Sequence, residues 1–150
     1  AAEYNDEPVT NCHRLEGVKM EERYFFKGKR TDNGEWVQGA LLDGEHHCLI
    51  GQEIKFSPDI MNECKIVGYE VDRSTICQCT GLQDENGTLI WENDIVSYRD
   101  FTKDVIVWKQ DKACFEYQQC SCSMMNFDEL SGCEVEVIGN IIDNPELLEV

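Results

Sequence analysis

The segment from Thr80 to Val96 constrains the fold of this chain more than any other part of the sequence. Two groups of turn-forming residues, at 83–87 and 92–94, separate three short runs of apolar or β-prone residues. The first group ends in Asn86-Gly87, a pair that accepts positive φ and is typical of tight turns between antiparallel strands. The segment therefore predicts a strand, a turn, a second strand, a second turn and a third strand.

The same alternation extends along most of the chain from Met20. The turn signal Thr31-Asp32-Asn33-Gly34 predicts a hairpin between the aromatic run at 24–26 and a strand at 35–42. Further strands are expected at 47–50, 64–71, 74–80, 95–98, 105–108, 113–117 and 134–142. Short strands at regular spacing predict an all-β fold, either a barrel or a sandwich. Asn144 as N-cap and Pro145 as first residue then predict a short C-terminal helix.

Residues 1–19 lack this pattern. They hold no apolar run and no period, so we interpret them as a flexible N-terminal arm. The codons for residues 16–19 can form a purine-rich stretch of the kind that precedes a bacterial start codon, and Met20 follows at once. Our hypothesis is that the arm is an over-extension of the reading frame, with residues 20–150 forming the folded part.

The charge balance narrows the choice of partners. Thirty acidic residues against 13 basic ones give a net charge of −17, which opposes direct binding to a phosphate backbone. The charge either serves solubility or imitates a nucleic acid, in which case carboxylates would occupy a basic nuclease or regulator. No apolar run is long enough to span a membrane, so we expect a soluble, cytoplasmic protein.

Nine cysteines, an odd number, raise the questions of disulfides and metal. We expect no signal peptide, which favours reduced cytosolic thiols, and no cofactor is expected. Cys77 and Cys79 share one face of the strand predicted at 74–80 and would line its inner side. The alternative is a zinc site shared with Cys120 and Cys122, which are also candidates for oxidation. A Cys-x-Cys spacing is shorter than that of the usual zinc knuckle.

Other candidate sites are better explained by structure. His47 and Cys48 are adjacent on a strand and would point to opposite faces, so they do not form a nucleophile–base pair. Asp84, Glu92 and Asp94 lie at turns, where carboxylates usually accept hydrogen bonds from backbone amides rather than hold a cation. We therefore predict no catalytic residue, no metal ligand and no enzymatic activity.

Candidate contact residues are aromatic or basic. Trp108 lies in the apolar run at 105–108 and is expected in the core, whereas Trp36 is flanked by polar residues and expected to be half exposed. The one dense basic cluster contains Lys27, Lys29 and Arg30. Together with Trp36, these three cations are our candidate partner-binding residues.

Three blocks of sequence together carry a family resemblance. They are FKGKRTDNGEWVQG at 26–39, TICQCTGLQDENG at 75–87 continuing to ENDIV at 92–96, and EVIGNIIDNPELL at 136–148. With these blocks the chain resembles the YopX family of phage and prophage proteins. One departure is Asn93, where the family pattern favours glycine; asparagine tolerates the left-handed backbone conformation that this turn needs. The cysteine-rich stretch 114–133 has no match.

The resemblance implies a mainly β protein with two small barrel-like subdomains, at about 20–79 and 80–150, the second similar to an SH3 barrel. It also implies a bacterial cytoplasm and no known activity. We expect a non-enzymatic accessory protein that binds an unidentified host or phage protein or assembles with itself, since exposed β edges invite pairing. The alternatives are the acidic mimic already described and a metal-binding protein or enzyme that uses the cysteine clusters.

Overall fold

The computed structural model describes residues 21–56, 63–98, 102–118 and 135–149. This part of the chain contains ten β-strands and three short 3-10 helices, without an α-helix. The strands are β1 (Phe26–Lys29), β2 (Trp36–Asp43), β3 (Cys48–Phe56), β4 (Cys64–Glu70), β5 (Cys77–Gln83), β6 (Leu89–Trp91), β7 (Asp94–Tyr98), β8 (Thr102–Lys109), β9 (Cys114–Tyr117) and β10 (Val135–Asn140). The 3-10 helices are η1 (Glu22–Tyr24), η2 (Arg73–Thr75) and η3 (Pro145–Leu148). The mainly β class predicted from the sequence is confirmed.

A six-stranded antiparallel sheet holds the first half of the chain, in the order β4-β3-β2-β1-β5-β6. The predicted hairpin is present, with Lys29 opposite Trp36 and a turn in which Gly34 adopts a φ of 73°. The sheet curls, and an isolated bridge between Arg30 and Val71 brings the end of β4 back to the end of β1. This bridge does not close a barrel within the described ranges.

A four-stranded antiparallel sheet, in the order β10-β7-β8-β9, holds the second half. Its core contains Val96, Ile106 and Val135, together with Ile90 from β6. The register of β10 against β7 shifts between Val137 and Gly139, as a β-bulge does.

The segment 80–96 forms the three predicted strands and links the two sheets. Gly87 and Asn93 have φ angles of 79° and 68°, so both predicted turns use the left-handed region. The turn at 92–93 sends the chain from β6 in the six-stranded sheet to β7 in the four-stranded one. The division predicted between residues 79 and 80 therefore falls inside β5; the division into two subdomains stays a prediction.

Two aromatic residues and the C-terminal helix differ from the sequence-based expectations. Tyr24 belongs to η1 and is 51% exposed, because the chain makes a 3-10 turn before β1 begins at Phe26. The expectation that Trp108 lies in the core is wrong: although β8 has a neighbour on each edge, Trp108 is 38% exposed and packs edge-on against Phe115. The C-terminal helix is the single 3-10 turn η3, and the side chain of Asn144 does not cap it.

Some predictions fall on residues that the structure does not describe. The N-terminal arm at 1–19 and both Cys120 and Cys122 lie outside the described residues. Where the chain is described, no helix is long and apolar enough to cross a membrane.

Candidate functional site

Lys27, the first predicted partner-binding residue, lies at the junction of the two sheets. It extends from β1, and its Nζ is 3.0 Å from Oδ1 of Asp94 on β7. The same ammonium lies 5.1 Å from the ring centroid of Trp36 and 5.2 Å from that of Trp91. The Lys27 side chain retains 15% exposure and that of Asp94 only 3%, so this ion pair joins the sheets in a poorly hydrated place.

The buried carboxylate of Asp94 is held by two donors. Besides Lys27, the backbone N–H of Trp91 donates to Oδ2 at 2.8 Å. Burial raises the pKa of Asp94, and the charge of Lys27 and the Trp91 hydrogen bond act against that rise. Desolvation is thus the larger influence on this group, and Lys27 partly compensates for it.

Lys29 and Trp36 meet a second carboxylate near the C-terminus. Lys29 Nζ forms an ion pair with Asp143, and Trp36 Nε1 donates to Asp143 Oδ2 at 2.6 Å. The hydrogen bonds from Lys29 and then Trp36 lower the pKa of Asp143 despite partial burial. Trp36 is half-buried, as expected from its polar neighbours.

Arg30 contacts the β1–β2 turn and strand β4, both in the first half of the chain. Its guanidinium bonds to Asp32, with Nε–Oδ1 and Nη2–Oδ2 distances of 2.9 and 2.5 Å, and stacks 3.9 Å from the ring centroid of Tyr69. The four predicted contact residues therefore lie near one another, but their polar atoms bind groups of this chain. Their role in partner binding stays a prediction.

The alternation predicted for Cys77 and Cys79 is confirmed. Both thiols are fully buried beside Trp91, and burial raises the pKa of each. A buried thiol held in its neutral form is a poor nucleophile and a poor metal ligand. Within the described ranges, no group of three or more His, Cys, Asp or Glu side chains is placed to hold a metal ion.

The turn carboxylates serve the backbone, as the sequence predicts. Asp84 accepts hydrogen bonds from the backbone N–H groups of Asn86, Thr88 and Val137 at 2.8 to 3.0 Å. Burial opposes its ionisation, but these donors together outweigh burial and lower the pKa of Asp84. The bond to Val137 ties the β5–β6 turn to β10, so this carboxylate is a structural link.

His47 and Cys48 point apart, as the strand geometry predicts. His47 is exposed and its Nδ1 lies 3.0 Å from Glu70 Oε1, whereas Cys48 packs in the core with Ile50 and Val71. This pair offers no nucleophile activated by a base.

The largest unexplained feature is the β3–β4 hairpin, which the sequence analysis did not select. All seven residues of β4 are exposed, on both faces of the strand. In most sheets one face packs against a core, and alternate residues are then buried. An apolar strand with both faces in solvent is a candidate contact surface.

One face of this hairpin forms a groove of about 480 Å3. Because opposed residues share a face, the pairs Ala40–Gly51 and Ile54–Ile66 lie on it together with Leu42. Its apolar walls include Leu42, 37% exposed, Ile54, 59% exposed, and Ile66, 45% exposed. We call this face, with the adjacent edge of β4, the hairpin surface.

Glycines form the floor of the hairpin surface. Gly51 lies opposite Gly68, and a Cβ on Gly51 would stand 3.2 Å from Ile66 Cγ2. A Cβ on Gly68 would stand 2.3 Å from the backbone oxygen of Ile50, too close for any side chain. The backbones approach closely here, so neither position has room for a larger residue without a shift of its neighbours.

Little in the sequence indicates this surface. The run from Cys64 to Val71 is apolar and β-prone, which is equally typical of a buried strand. The available hints are Lys65 within β4 and Glu63 and Glu70 at its limits, since charges commonly protect edge strands.

Comparison with known proteins supports the resemblance found in the sequence. The family described as YopX protein matches residues 25–149. The crystal structure of protein EF1440 from Enterococcus faecalis is similar to this fold, with a TM-score of 0.60 and 27% sequence identity. That match covers 83% of this chain and 96% of the other. No curated protein matches the sequence. The matched span includes nearly every described residue, and the chain belongs to the YopX family.

Proposed function

We propose that this protein is a non-enzymatic phage or prophage accessory protein that acts by binding another protein through the hairpin surface. The observation that carries the proposal is the exposure of every residue of β4, an apolar edge strand beside a groove lined by Leu42, Ile54 and Ile66. Contiguous apolar surface of this kind is characteristic of protein contacts. The two-subdomain, SH3-like organisation implied by the family resemblance fits a binding module of this kind.

The chemistry of the interior agrees with a binding role. The described thiols that are fully buried have raised pKa values, and the buried carboxylates Asp84 and Asp94 serve backbone groups or Lys27. Each of these groups already has a structural partner, so we assign none of them a catalytic role.

The experiment is a comparison of variants in affinity capture from nuclease-treated host lysate. Ile66→Asp places a charge on the hairpin surface without removing a buried side chain, because Ile66 is exposed. Leu148→Asp is the control, since Leu148 is an exposed apolar residue of η3. The proposal predicts a stoichiometric protein that is retained by the native chain and the Leu148 variant and lost by the Ile66 variant.

Two results would contradict the proposal. A partner that the Ile66 variant retains would bind elsewhere on the protein. A partner that dissociates steeply with rising salt, and equally from all three proteins, would instead indicate the acidic mimic. Circular dichroism of each variant establishes that it remains folded.

A further inference from the structure

We propose that the outer edge of β4 binds an extended segment of the partner by strand addition, and that this segment alternates apolar and basic side chains. The inference rests on the proposed function, because it concerns the same hairpin surface. It adds the binding mode, the backbone atoms involved and the chemical class of the partner.

The direction of the free backbone groups follows from the hydrogen bonds at the end of β4. The N–H of Val71 donates inward to Cys48, at 2.9 Å, whereas the carbonyl of Glu70 accepts outward from the N–H of Thr31, at 3.0 Å. Successive residues of a strand direct their N–H and C=O groups to opposite sides. The outward residues of β4 are therefore Glu70, Gly68, Ile66 and Cys64.

Only the end of this edge is paired within the described part of the chain. The N–H of Thr31 donates to the carbonyl of Glu70, and no described strand pairs with residues 64–68 on this side. The N–H and C=O groups of Ile66 and Gly68 are thus four adjacent hydrogen-bonding groups in the arrangement that an added antiparallel or parallel strand requires.

The side chains around this edge favour an apolar residue at alternate positions of the added strand. A residue opposite Gly68 meets no cross-strand side chain and lies next to Ile66, beside the groove that Leu42 and Ile54 line. On the other face the neighbours are Val67 and Tyr69, both partly exposed. The apolar side chains of the added strand therefore lie beside Ile66 and the groove, and the alternate side chains lie on the face of Val67 and Tyr69, where the aliphatic part of a lysine or arginine side chain also makes apolar contact.

The negative charge around β4 favours a basic partner over a second copy of this chain. Residues 43–56 and 63–70, which form the outer part of the six-stranded sheet, contain five carboxylates and two lysines. Glu63 and Glu70 flank the two ends of β4, and the whole chain carries a net charge of −17. Two such chains repel one another, whereas a lysine- or arginine-rich segment is attracted to this edge.

The test uses a defined peptide with the full-length protein. The probe is a peptide of alternating lysine and isoleucine, N-methylated along one edge so that it does not pair with itself. A matched peptide of alternating glutamate and isoleucine is the control. We expect the lysine peptide to bind, with an affinity that falls as salt rises, and the glutamate peptide to show no binding by fluorescence anisotropy.

Amide hydrogen exchange locates the contact. Binding should slow the exchange of the Ile66 and Gly68 N–H groups, which point outward, while the N–H of Val67 and Tyr69 should change little. Ile66→Pro removes one outward donor at a position where an edge strand tolerates proline, and Ile66→Ala removes only the side chain. The proline variant should bind about fivefold more weakly than the alanine variant, the effect of one hydrogen bond.

The outcomes separate this inference from the proposed function. If neither peptide binds, or Ile66 and Gly68 gain no protection, strand addition is wrong, while the loss of the natural partner from the Ile66→Asp variant would still support the proposed function. If the native protein forms a dimer in sedimentation analysis and Ile66→Asp abolishes it, a second copy occupies the edge and the basic-partner inference is overturned.

Discussion

Replacing Lys27 by methionine tests whether the ion pair with Asp94 holds the two sheets together. Methionine keeps most of the length of the lysine side chain and its apolar contact with Trp36 and Trp91, so the variant removes a charge rather than volume. The carboxylate of Asp94, 3% exposed, then loses a partner whose Nζ lies 3.0 Å away. Its remaining donor is the N–H of Trp91, 2.8 Å from Oδ2.

The expected cost is large because the charge left behind is buried. Removing one partner of a buried ion pair typically destabilises a protein by about 3–5 kcal/mol. Asp94 keeps one hydrogen bond and can take up a proton, so we expect about 3 kcal/mol, at the lower end. A second substitution, Asp94→Asn, removes the stranded charge and should recover part of this loss in the double variant.

Urea unfolding near neutral pH measures the change, and Lys55→Met provides the matched control. Lys55 forms an ion pair with Glu53 at 3.5 Å, but both side chains are more than half exposed. Surface pairs of this kind contribute about 0–1 kcal/mol. If Lys27→Met loses no more free energy of unfolding than Lys55→Met, the junction does not depend on this charge and the argument fails.

The same variant should show a characteristic pH dependence. Burial raises the pKa of Asp94 above the usual value of an aspartate, while Lys27 acts to lower it. Because the folded pKa is the higher one, the titration of Asp94 favours the folded state at low pH, and this contribution is lost as pH rises through the folded pKa. Without Lys27 the pKa rises further, so the stability deficit should narrow on acidification. A constant deficit would contradict this account.

Three further substitutions test the backbone. Asn93→Ala should be about 1 kcal/mol less stable than Asn93→Gly in urea, because alanine tolerates the φ of 68° poorly; equal stabilities would show that this turn is unstrained. Gly68→Ala should lower the melting temperature and cost about 1–3 kcal/mol, since its Cβ would meet the backbone oxygen of Ile50; a neutral result would exclude the close approach. Asp84→Asn should lower the free energy of unfolding near neutral pH. Because the folded pKa of Asp84 is lowered, the difference in stability from the native protein should disappear as acid protonates the native Asp84. A difference that persists in acid would mean that the carboxylate charge is not its cause.

Local chemistry explains why the turns were predictable. Gly34 and Gly87 each follow an asparagine, and both adopt the positive φ that these pairs indicate. Asn93 does so without glycine, as its tolerance of this region allows. At these three positions the positive φ follows from the residue and its nearest neighbours, so it can be inferred without knowing what the chain packs against.

Burial was less predictable because it depends on distant strands. The run around Trp108 and the run from Cys64 to Glu70 both have the composition of buried strands. In the sheets, β8 has neighbours on both edges and still leaves Trp108 partly exposed, while β4 is an edge strand with both faces in solvent. Sheet order is fixed by long-range pairing, which the composition of one strand does not encode.

The scarcity of cations connects the junction to the proposed binding mode. With 13 basic residues against 30 acidic ones, a carboxylate that folding buries has few cations available to it. Lys27 forms an ion pair with Asp94, and Lys29 with Asp143, so two members of the dense basic cluster already have partners within this chain. Each pair neutralises one positive and one negative charge, so the chain keeps its net charge of −17 while fewer cations remain unpaired. Exposed apolar side chains gather on the β3–β4 hairpin, at Ile54, Ile66, Val67 and Tyr69. A partner suited to this distribution brings its own positive charge and an extended apolar segment, which is the combination that the peptide experiment tests.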